Sequence, residues 1–298
     1  IAVVQGNIPQ KIKWDPKNKL SILETHEKLS RIVSYEEKPH LIVWPEAAFP
    51  SYLNADRYQE RVLNLERELQ IPILLGSPYL DLSVKDRESA YNSAYLVDDR
   101  LSFDHHYDKV RLVSFGEYVP WRPFFGFLGL ERFAYSLGVS DFSAGRDVKV
   151  FSLGKFHQFS VLICFEDTFP FLALRSVEKG AKLLIVITND AWFGKSAAPY
   201  QHLDASIFRA IENGVPVVRS ANTGVSAFVD SRGQVLDRVK DQHGNDTFIA
   251  GALARSISLG EEKTFYRVKG HQFPLYCLIF LGASSVLTLR HVHPRRKL

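Results

Sequence analysis

Methionine is absent from the 298-residue chain, and cysteine occurs only twice, at Cys164 and Cys277. Without methionine, Ile1 is not an initiator residue, and it already lies inside the apolar run IAVV. We therefore expect the chain to be a piece of a longer protein or a processed product. Two cysteines so far apart do not form the framework of bridges that holds small secreted domains together.

Metal-binding patterns are also missing from the sequence. The histidines at 105–106 and at 291 and 293 have no matching cluster of cysteines or acids at metal-ligand spacing. Solvated histidines are the favoured interpretation, because metal sites need ligands at characteristic spacings. We expect no metal and no organic cofactor.

The excess of positive charge is confined to one end of the chain. The formal net charge is +4, from 37 lysines and arginines against 33 acids. Four of the 37 lie in the acid-free tail RHVHPRRKL, which leaves 33 basic residues in the body, equal to the acids. A nucleic-acid-binding domain needs a basic surface on its folded body. We expect no nucleic-acid partner.

Residues 1–270 alternate short apolar runs with helical patterns, and their length suits a large buried core. Continuous β-branched runs are typical of strands buried on both faces. The predicted strands are Ile1–Ile8, His40–Glu46, Ile71–Leu80, Ser93–Asp98, Phe159–Glu166, Lys182–Asp190, Val215–Ala221 and Ser226–Gly233. The predicted helices are Asn18–Tyr35, Ala55–Leu69, Leu172–Lys179 and Tyr200–Asn213. This alternation predicts an α/β layered domain with a late hairpin at SRGQ.

An uncharged stretch, Phe273–Leu289, follows this body. Its length is at the short limit for a membrane-spanning helix, at about 1.5 Å per residue, and a buried core helix is the alternative. The basic tail directly after it agrees with the positive-inside rule. We therefore predict a catalytic domain over residues 1–270, a transmembrane helix over 273–289 and a cytoplasmic tail over 290–298.

Three residues occupy positions where α/β enzymes place functional groups. Glu46 closes the predicted strand HLIVWPE, Cys164 closes VLIC, and Lys109 lies in the polar stretch HHYDKVRLVSFGEYVP. Ligands of open α/β sheets gather at the carboxyl ends of strands. A carboxylate there can take the proton of a thiol that attacks a carbonyl, and an ammonium can stabilise the resulting negative charge. Each residue alone is more often structural, so only the combination indicates covalent catalysis.

The sequence around these residues resembles the nitrilase superfamily and, within it, the apolipoprotein N-acyltransferase family. The similarity runs through AVVQGNIPQKIKWDP, IVWPEAAFP, YDKVRLVSFGEYVP, ICFEDTFP and TNDAWFGKSAAPYQH, and it covers nearly the whole chain. It implies a nitrilase-like four-layer α-β-β-α sandwich with a C-terminal transmembrane helix. It also implies a location in the bacterial inner membrane, with the catalytic domain on the periplasmic side.

The resemblance assigns roles to individual residues. It implies Glu46 as general base, Lys109 as oxyanion stabiliser and Cys164 as nucleophile. Glu117 and Glu166 match further acids that the family needs in its site.

The resemblance does not assign a single role to two aromatic residues, Trp14 and Phe165. Trp14 matches an aromatic residue on a loop near the site, although packing is an equal interpretation. Phe165 departs from the family, which has tyrosine after the nucleophile, so any hydrogen-bonding role of that position is in doubt.

The implied reaction moves an acyl chain from a membrane phospholipid to Cys164 and then to the N-terminal amine of a diacylglyceryl-cysteine apolipoprotein. The apolar stretch 119–138, interpreted either as a segment that enters lipid or as a packed lid, agrees with lipid substrates. The main alternative is a soluble-type amidase or nitrilase that acts on a small amide or nitrile with the same triad. A membrane-tethered binding module without activity is a third interpretation.

Overall fold

The chain forms two six-stranded sheets, in a computed structural model that describes residues 1–83, 89–98, 105–120, 141–154, 157–260 and 263–292. The first sheet has the order β12-β1-β2-β3-β4-β5 and contains β1 (Ala2–Gln5), β2 (Ile42–Val43), β3 (Ile73–Asp81), β4 (Ser89–Val97), β5 (His106–Asp108) and β12 (Gly251–Ala254). The second has the order β11-β10-β9-β8-β7-β6 and contains β6 (Val150–Leu153), β7 (His157–Ile163), β8 (Leu184–Thr188), β9 (Val217–Ala221), β10 (Ala227–Val229) and β11 (Val235–Arg238).

Helices connect and cover these strands. The α-helices in the described ranges are α1 (Gln10–Lys13), α2 (Lys19–Glu37), α3 (Gln59–Leu69), α4 (Pro170–Glu178), α5 (Ala198–Asn213), α6 (Phe265–Val268) and α7 (Phe273–Val292). Short 3₁₀ turns lie at Pro16–Asn18, Leu53–Ala55, Cys164–Thr168, Asp190–Phe193 and Gly270–Gln272.

Three apolar layers hold the two sheets and their helices together. The central layer lies between the sheets and joins residues of both, such as Val43 and Ile185. The outer face of the first sheet packs on α2 and α3, with Leu23 and Val62 in the contact. The outer face of the second sheet packs on α4 and α5. This is the four-layer α-β-β-α arrangement that the resemblance implies.

The parallel pairing of strands determines at which edge of the sheets the candidate site residues lie. Strands β1, β2 and β3 run parallel, as do β7, β8 and β9. Because the carboxyl ends of parallel strands lie at one edge of a sheet, the residues that follow β2, β7 and β8 come together. A buried hydroxyl also links the sheets, since Ser220 Oγ on β9 lies 3.0 Å from the carbonyl oxygen of Val4 and 3.1 Å from that of Val43.

The predicted strands agree with the structure in place, and most are longer than the observed ones; β4 is the exception, since Ser89–Val97 extends beyond the predicted Ser93–Asp98 at its beginning. The predicted strand His40–Glu46 pairs only over Ile42–Val43, and β7 ends at Ile163, one residue before the cysteine. The late hairpin is present as β10 and β11. Strands β5, β6 and β12 were missed, because each has three or four residues and pairs at or near a sheet edge without a long apolar run.

The terminal apolar segment forms helix α7, which is longer than the predicted stretch. Leu278 and Phe280 on this helix are 66% and 71% exposed. Within the described part of the chain, no helix is both long enough and apolar enough to cross a membrane, so the predicted span is not confirmed. The predicted stretch 119–138 lies outside the described residues beyond Pro120, and so does the tail from residue 293 onward.

Gly76 on β3 packs directly against the backbone that carries Glu46. A Cβ atom at this position would lie 2.6 Å from Glu46 Cα and 2.7 Å from Ala47 N. We expect Gly76→Ala to lower the free energy of unfolding by about 1–3 kcal/mol, because backbone cannot move aside as a flexible side chain does. Urea denaturation measures this difference. The control is Gly282→Ala on α7, where a Cβ meets nothing within 4 Å; equal losses in both variants would contradict the interpretation.

Candidate active site

Glu46 follows β2, and its carboxylate is held in place by the first sheet and the second. Asn92 Nδ2 donates to Oε1 at 2.7 Å, and the backbone N–H of Asn189 donates to Oε2 at 2.9 Å. Lys109 Nζ lies 3.6 Å from Oε1. The residue is 7% exposed. Glu46 is therefore a fixed, buried carboxylate at the edge where the two sheets meet.

Lys109 follows β5 directly, and its amine lies between two carboxylates. Nζ donates to Glu117 Oε1 at 2.9 Å, and the side chain is buried. Burial alone would lower the pKa of Lys109, but the negative charges of Glu46 and Glu117, joined by that of Cys164 when it is a thiolate, outweigh that effect and raise it. Lys109 consequently keeps its positive charge at physiological pH.

Asn92 on β4 joins the two carboxylates, and no sequence pattern marks it as a site residue. Its Nδ2 lies 2.7 Å from Glu46 Oε1 and 2.7 Å from Glu117 Oε1. Since an amide nitrogen carries two N–H groups, it donates one to each carboxylate. Glu117 is fixed further by the N–H of Val113, which donates to Oε2 at 2.8 Å.

Cys164 is the first residue after β7 and begins the turn Cys164–Thr168. Its φ of 53° lies in the left-handed region, which non-glycine residues adopt rarely and which is enriched at functional sites. Burial raises the pKa of the Cys164 thiol and Glu46 raises it further, while Lys109 and a hydrogen bond with Thr188 oppose the rise. The resting form is therefore the thiol, which needs a base to lose its proton.

Glu166 lies behind the site and joins the two segments that carry the lysine and the cysteine. Its carboxylate accepts hydrogen bonds from the backbone of Val110 at 2.7 Å, Arg111 at 3.0 Å and Ile163 at 2.8 Å. The Tyr107 hydroxyl donates to it at 2.8 Å. Burial raises the pKa of Glu166, and the backbone donors oppose that rise. This residue sets the position of the loop after β5 relative to the end of β7.

A buried ring of charges lies directly beneath Cys164. His202 Nδ1 is 2.9 Å from Asp190 Oδ1, and Nε2 is 3.0 Å from Asp167 Oδ1. Arg219 donates to the other oxygens of the same two aspartates, at 2.9 Å and 3.0 Å. Because both imidazole nitrogens face carboxylates, both carry protons. His202 Nε2 also lies 3.3 Å from the Cys164 carbonyl oxygen, so the ring supports the backbone of the cysteine.

A cavity of about 710 Å³ opens beside these residues. Its wall includes Glu46, Asn92 and Glu117, and two exposed tryptophans, Trp14 and Trp192, lie along it. The volume is in the range of small-molecule sites. Trp14, for which site contact and packing are equal expectations, lies on the cavity wall and is 47% exposed.

Phe165 is not brought to the cavity wall. Its exposed ring packs edge-to-face on Phe169, with the ring centroids 5.6 Å apart. Within the described residues, no group of three or more histidine, cysteine or acidic side chains is arranged to hold a metal ion.

The charged ring makes stability depend on pH in a defined direction. Burial and Arg219 lower the pKa of His202, but Asp167 and Asp190 outweigh them and raise it to about 9 from 6.5. A raised pKa means that the stabilisation is complete below pH 6.5 and is lost as the pH rises through 9. We expect the unfolding free-energy difference between the wild type and His202→Gln to fall by an amount on the order of 3 kcal/mol across this window. Urea denaturation at several pH values tests this, and a constant difference would contradict it.

The chain is similar in sequence to two curated bacterial proteins. The apolipoprotein N-acyltransferase of Geobacter metallireducens is 38% identical over 291 residues, which are 97% of this chain and 54% of the relative. The enzyme of the same name from Haemophilus influenzae is 34% identical over 292 residues, which are 96% of this chain and 54% of the relative. The chain thus spans about half the length of these curated relatives.

The chain also resembles solved structures and matches a family model. The amidase from Nesterenkonia sp. AN1 has a TM-score of 0.60 at 19% identity, covering 92% of this chain and 97% of that chain. A form of this amidase with acrylamide added at the active-site cysteine has a TM-score of 0.59 at 20% identity. The match covers 89% of this chain and 94% of that chain. At such identity the likeness concerns the fold alone. The model of the carbon-nitrogen hydrolase family matches residues 1–255, and the chain belongs to this family.

Proposed function

We propose that the protein is an apolipoprotein N-acyltransferase. It would transfer an acyl chain from a membrane phospholipid, through a thioester on Cys164, to the N-terminal amine of a diacylglyceryl-cysteine apolipoprotein. The observation that carries the proposal is the buried group of Glu46, Lys109 and Glu117 beside Cys164. It occurs in a chain whose relatives have that name.

In the first half-reaction, the Cys164 sulfur attacks the ester carbonyl carbon of the phospholipid. Glu46 takes the thiol proton as the carbon–sulfur bond forms, and Lys109 stabilises the charge on the carbonyl oxygen. The carbon–oxygen ester bond then breaks, and Glu46 returns the proton to the leaving oxygen of the lysophospholipid. A general base in this position contributes about 10²–10⁴-fold to the rate. One oxyanion-stabilising group contributes about 10²–10³-fold.

In the second half-reaction, the neutral α-amine of the apolipoprotein attacks the thioester carbonyl. Glu46 takes a proton from the attacking nitrogen, and the carbon–sulfur bond breaks. The sulfur leaves and regains that proton, which restores the thiol and the carboxylate. The fixed position of Glu46, held by Asn92 and Asn189, suits it to serve both halves.

Membrane attachment through α7 is part of the proposal. The helix has apolar side chains exposed along its length, including Leu275, Ile279 and Leu287. A helix that is apolar all round is stable only inside a protein core or a bilayer. We take residues 273–289 as a membrane span, 1–270 as the catalytic domain on the periplasmic side of the inner membrane, and 290–298 as a cytoplasmic tail.

Formation of an acyl thioester on Cys164 is the first test of the proposed function. We expect wild-type protein mixed with phospholipid alone to gain the mass of an acyl chain on the peptide that contains Cys164, and hydroxylamine to remove it. Cys164→Ala should form no such species, and Glu46→Gln should form it about 10²–10⁴-fold more slowly. Cys277→Ala is the matched control and should behave as the wild type. Undiminished acyl transfer by Cys164→Ala would contradict the proposal, and turnover of small amides without a phospholipid-derived thioester would favour an amidase.

Lysine substitutions in helix α7 test whether this helix attaches the protein to a membrane. We expect replacement of both Leu278 and Phe280 by lysine to weaken cosedimentation with phospholipid vesicles, since a lysine at the centre of a span costs about 2.5–3.5 kcal/mol. Tyr35→Lys serves as control, because Tyr35 is 90% exposed on α2 in the catalytic body. Vesicle binding that is unchanged in the double variant would assign attachment to another segment.

A further inference from the structure

Lys13 is a second buried amine at the site, and the reaction described above does not use it. It is the last residue of α1 and only 1% exposed. Its Nζ donates a hydrogen bond to the main-chain carbonyl oxygen of Glu46 at 3.0 Å. The next residue, Trp14, lines the cavity. A charged side chain thus lies under the cavity wall, in contact with the residue proposed as the base.

Lys13 lacks a salt bridge with any carboxylate in the described part of the chain; its hydrogen bond there is to a main-chain carbonyl. Lys109, by contrast, pairs with Glu117. Removing an ammonium from water without an opposite charge in contact is costly, so such residues are rare unless they serve a function. The buried His26 near it cannot compensate the charge, since an imidazole is either neutral or positive, and burial lowers the pKa of His26 to about 4 and so keeps it neutral.

The α1 segment is fixed to the same site at two points. Gln10 Oε1, at the beginning of the helix, accepts a hydrogen bond from Asn189 Nδ2 at 2.8 Å. The backbone N–H of Asn189 in turn binds the Glu46 carboxylate. Lys13, at the other end, binds the Glu46 backbone. Two contacts of this kind give the amine a defined place relative to the carboxylate.

The cysteine lies in the same cluster of groups. Strands β7 and β8 pair with Ile163 opposite Ile187, so Cys164 and Thr188 follow at the same level. Thr188 forms a hydrogen bond with the Cys164 side chain and directly precedes Asn189. Burial lowers the pKa of Lys13 to about 8, and the negative charges of Glu46 and of the Cys164 thiolate oppose this. Coupling between two charges is reciprocal, so the ammonium equally favours the thiolate.

The charge balance of the site explains why a second cation is useful. Glu46 and Glu117 are both acidic and share the Asn92 amide, and Lys109 is the one ammonium within 4 Å of either among the described residues. When Cys164 attacks, Glu46 takes the thiol proton and loses its charge, and an equal negative charge develops on the sulfur and then on the substrate oxygen. Two negative charges thus remain beside one ammonium, so a second cation would stabilise the transferred charge.

We infer that Lys13 is a second cation of the active centre. It is a positioning residue whose charge stabilises the negative charge that develops on the Cys164 sulfur and on the substrate oxygen. The inference rests on the proposed function for the role of Cys164. The charge is present below the pKa of Lys13 and is lost as the pH rises through about 8. Other ionisable side chains near the cysteine are those of Glu46, Lys109, Asp190 and His202.

Alkylation of Cys164 by iodoacetamide in the intact protein measures this effect without any acyl transfer. The chain has no methionine to compete for the reagent, and peptide mass spectrometry separates Cys164 from Cys277. Lys13→Gln keeps a hydrogen-bond donor and removes the charge, whereas Lys13→Arg keeps the charge. Lys11→Gln, an exposed position on the same short helix, is the matched control. Thermal unfolding of each variant is recorded alongside.

We expect Lys13→Gln to alkylate Cys164 about tenfold more slowly than the wild type at pH 7, which corresponds to a rise of about one unit in the pKa of the thiol. Lys13→Arg and Lys11→Gln should stay close to the wild-type rate. The ratio of the wild-type rate to the Lys13→Gln rate should shrink above pH 8, as Lys13 loses its proton. His202 titrates in both proteins, so its contribution cancels in this ratio.

An equal rate for Lys13→Gln and the wild type at pH 7, or a ratio that stays constant from pH 6.5 to 9.5, would overturn the inference. If Lys13→Gln does not fold, Lys13→Arg provides the test. Its permanent charge should keep the rate rising above pH 8 where the wild-type profile flattens, and parallel profiles would overturn the inference. A wild-type Cys164 that forms no acyl thioester would overturn the proposed function, and it would leave this measurement intact.

Discussion

The side-chain amide of Asn92 holds two carboxylates of like charge together in a buried pocket. Glu46 and Glu117 each accept one of its N–H groups at 2.7 Å, and Lys109 lies between them. Without such a donor, mutual repulsion would separate the carboxylates or protonate one of them. The base, the cation and the shape of the cavity wall all depend on this contact, because each is positioned by one of the two acids.

Two kinds of support maintain this arrangement from behind. Glu166 joins the loop that contains Lys109 to the end of β7, because its carboxylate accepts backbone hydrogen bonds from both. The ring of Asp167, His202, Asp190 and Arg219 holds the carbonyl of a cysteine whose backbone is in the left-handed region. Removing one member of a buried ionic group of this kind strongly destabilises the fold, because it leaves the remaining charge without a partner. The positions of Lys109 and Cys164 therefore depend on contacts of side chains that take no part in the reaction.

The sequence predicted the α/β layers and the strand-end positions of Glu46 and Cys164, because long β-branched runs and the carboxyl-end rule follow from local pattern. It did not predict that Lys109 follows a strand, since β5 has only three residues. Asn92 and Lys13 carried no local signal: a polar residue in a strand and a lysine beside a turn are ordinary in sequence. Their importance arises from tertiary contacts with Glu46, which lies 46 and 33 positions away in the chain.

The pairing of β1 with β12 has a consequence for how the molecule is made. Ala2–Gln5 lies in the interior of the first sheet, yet one of its two neighbours is Gly251–Ala254. During synthesis the edge of β1 that faces β12 has no strand to bind until those residues leave the ribosome. An unpaired strand edge is prone to join other chains. The sheet on which Glu46 is placed therefore closes on this side only late in synthesis.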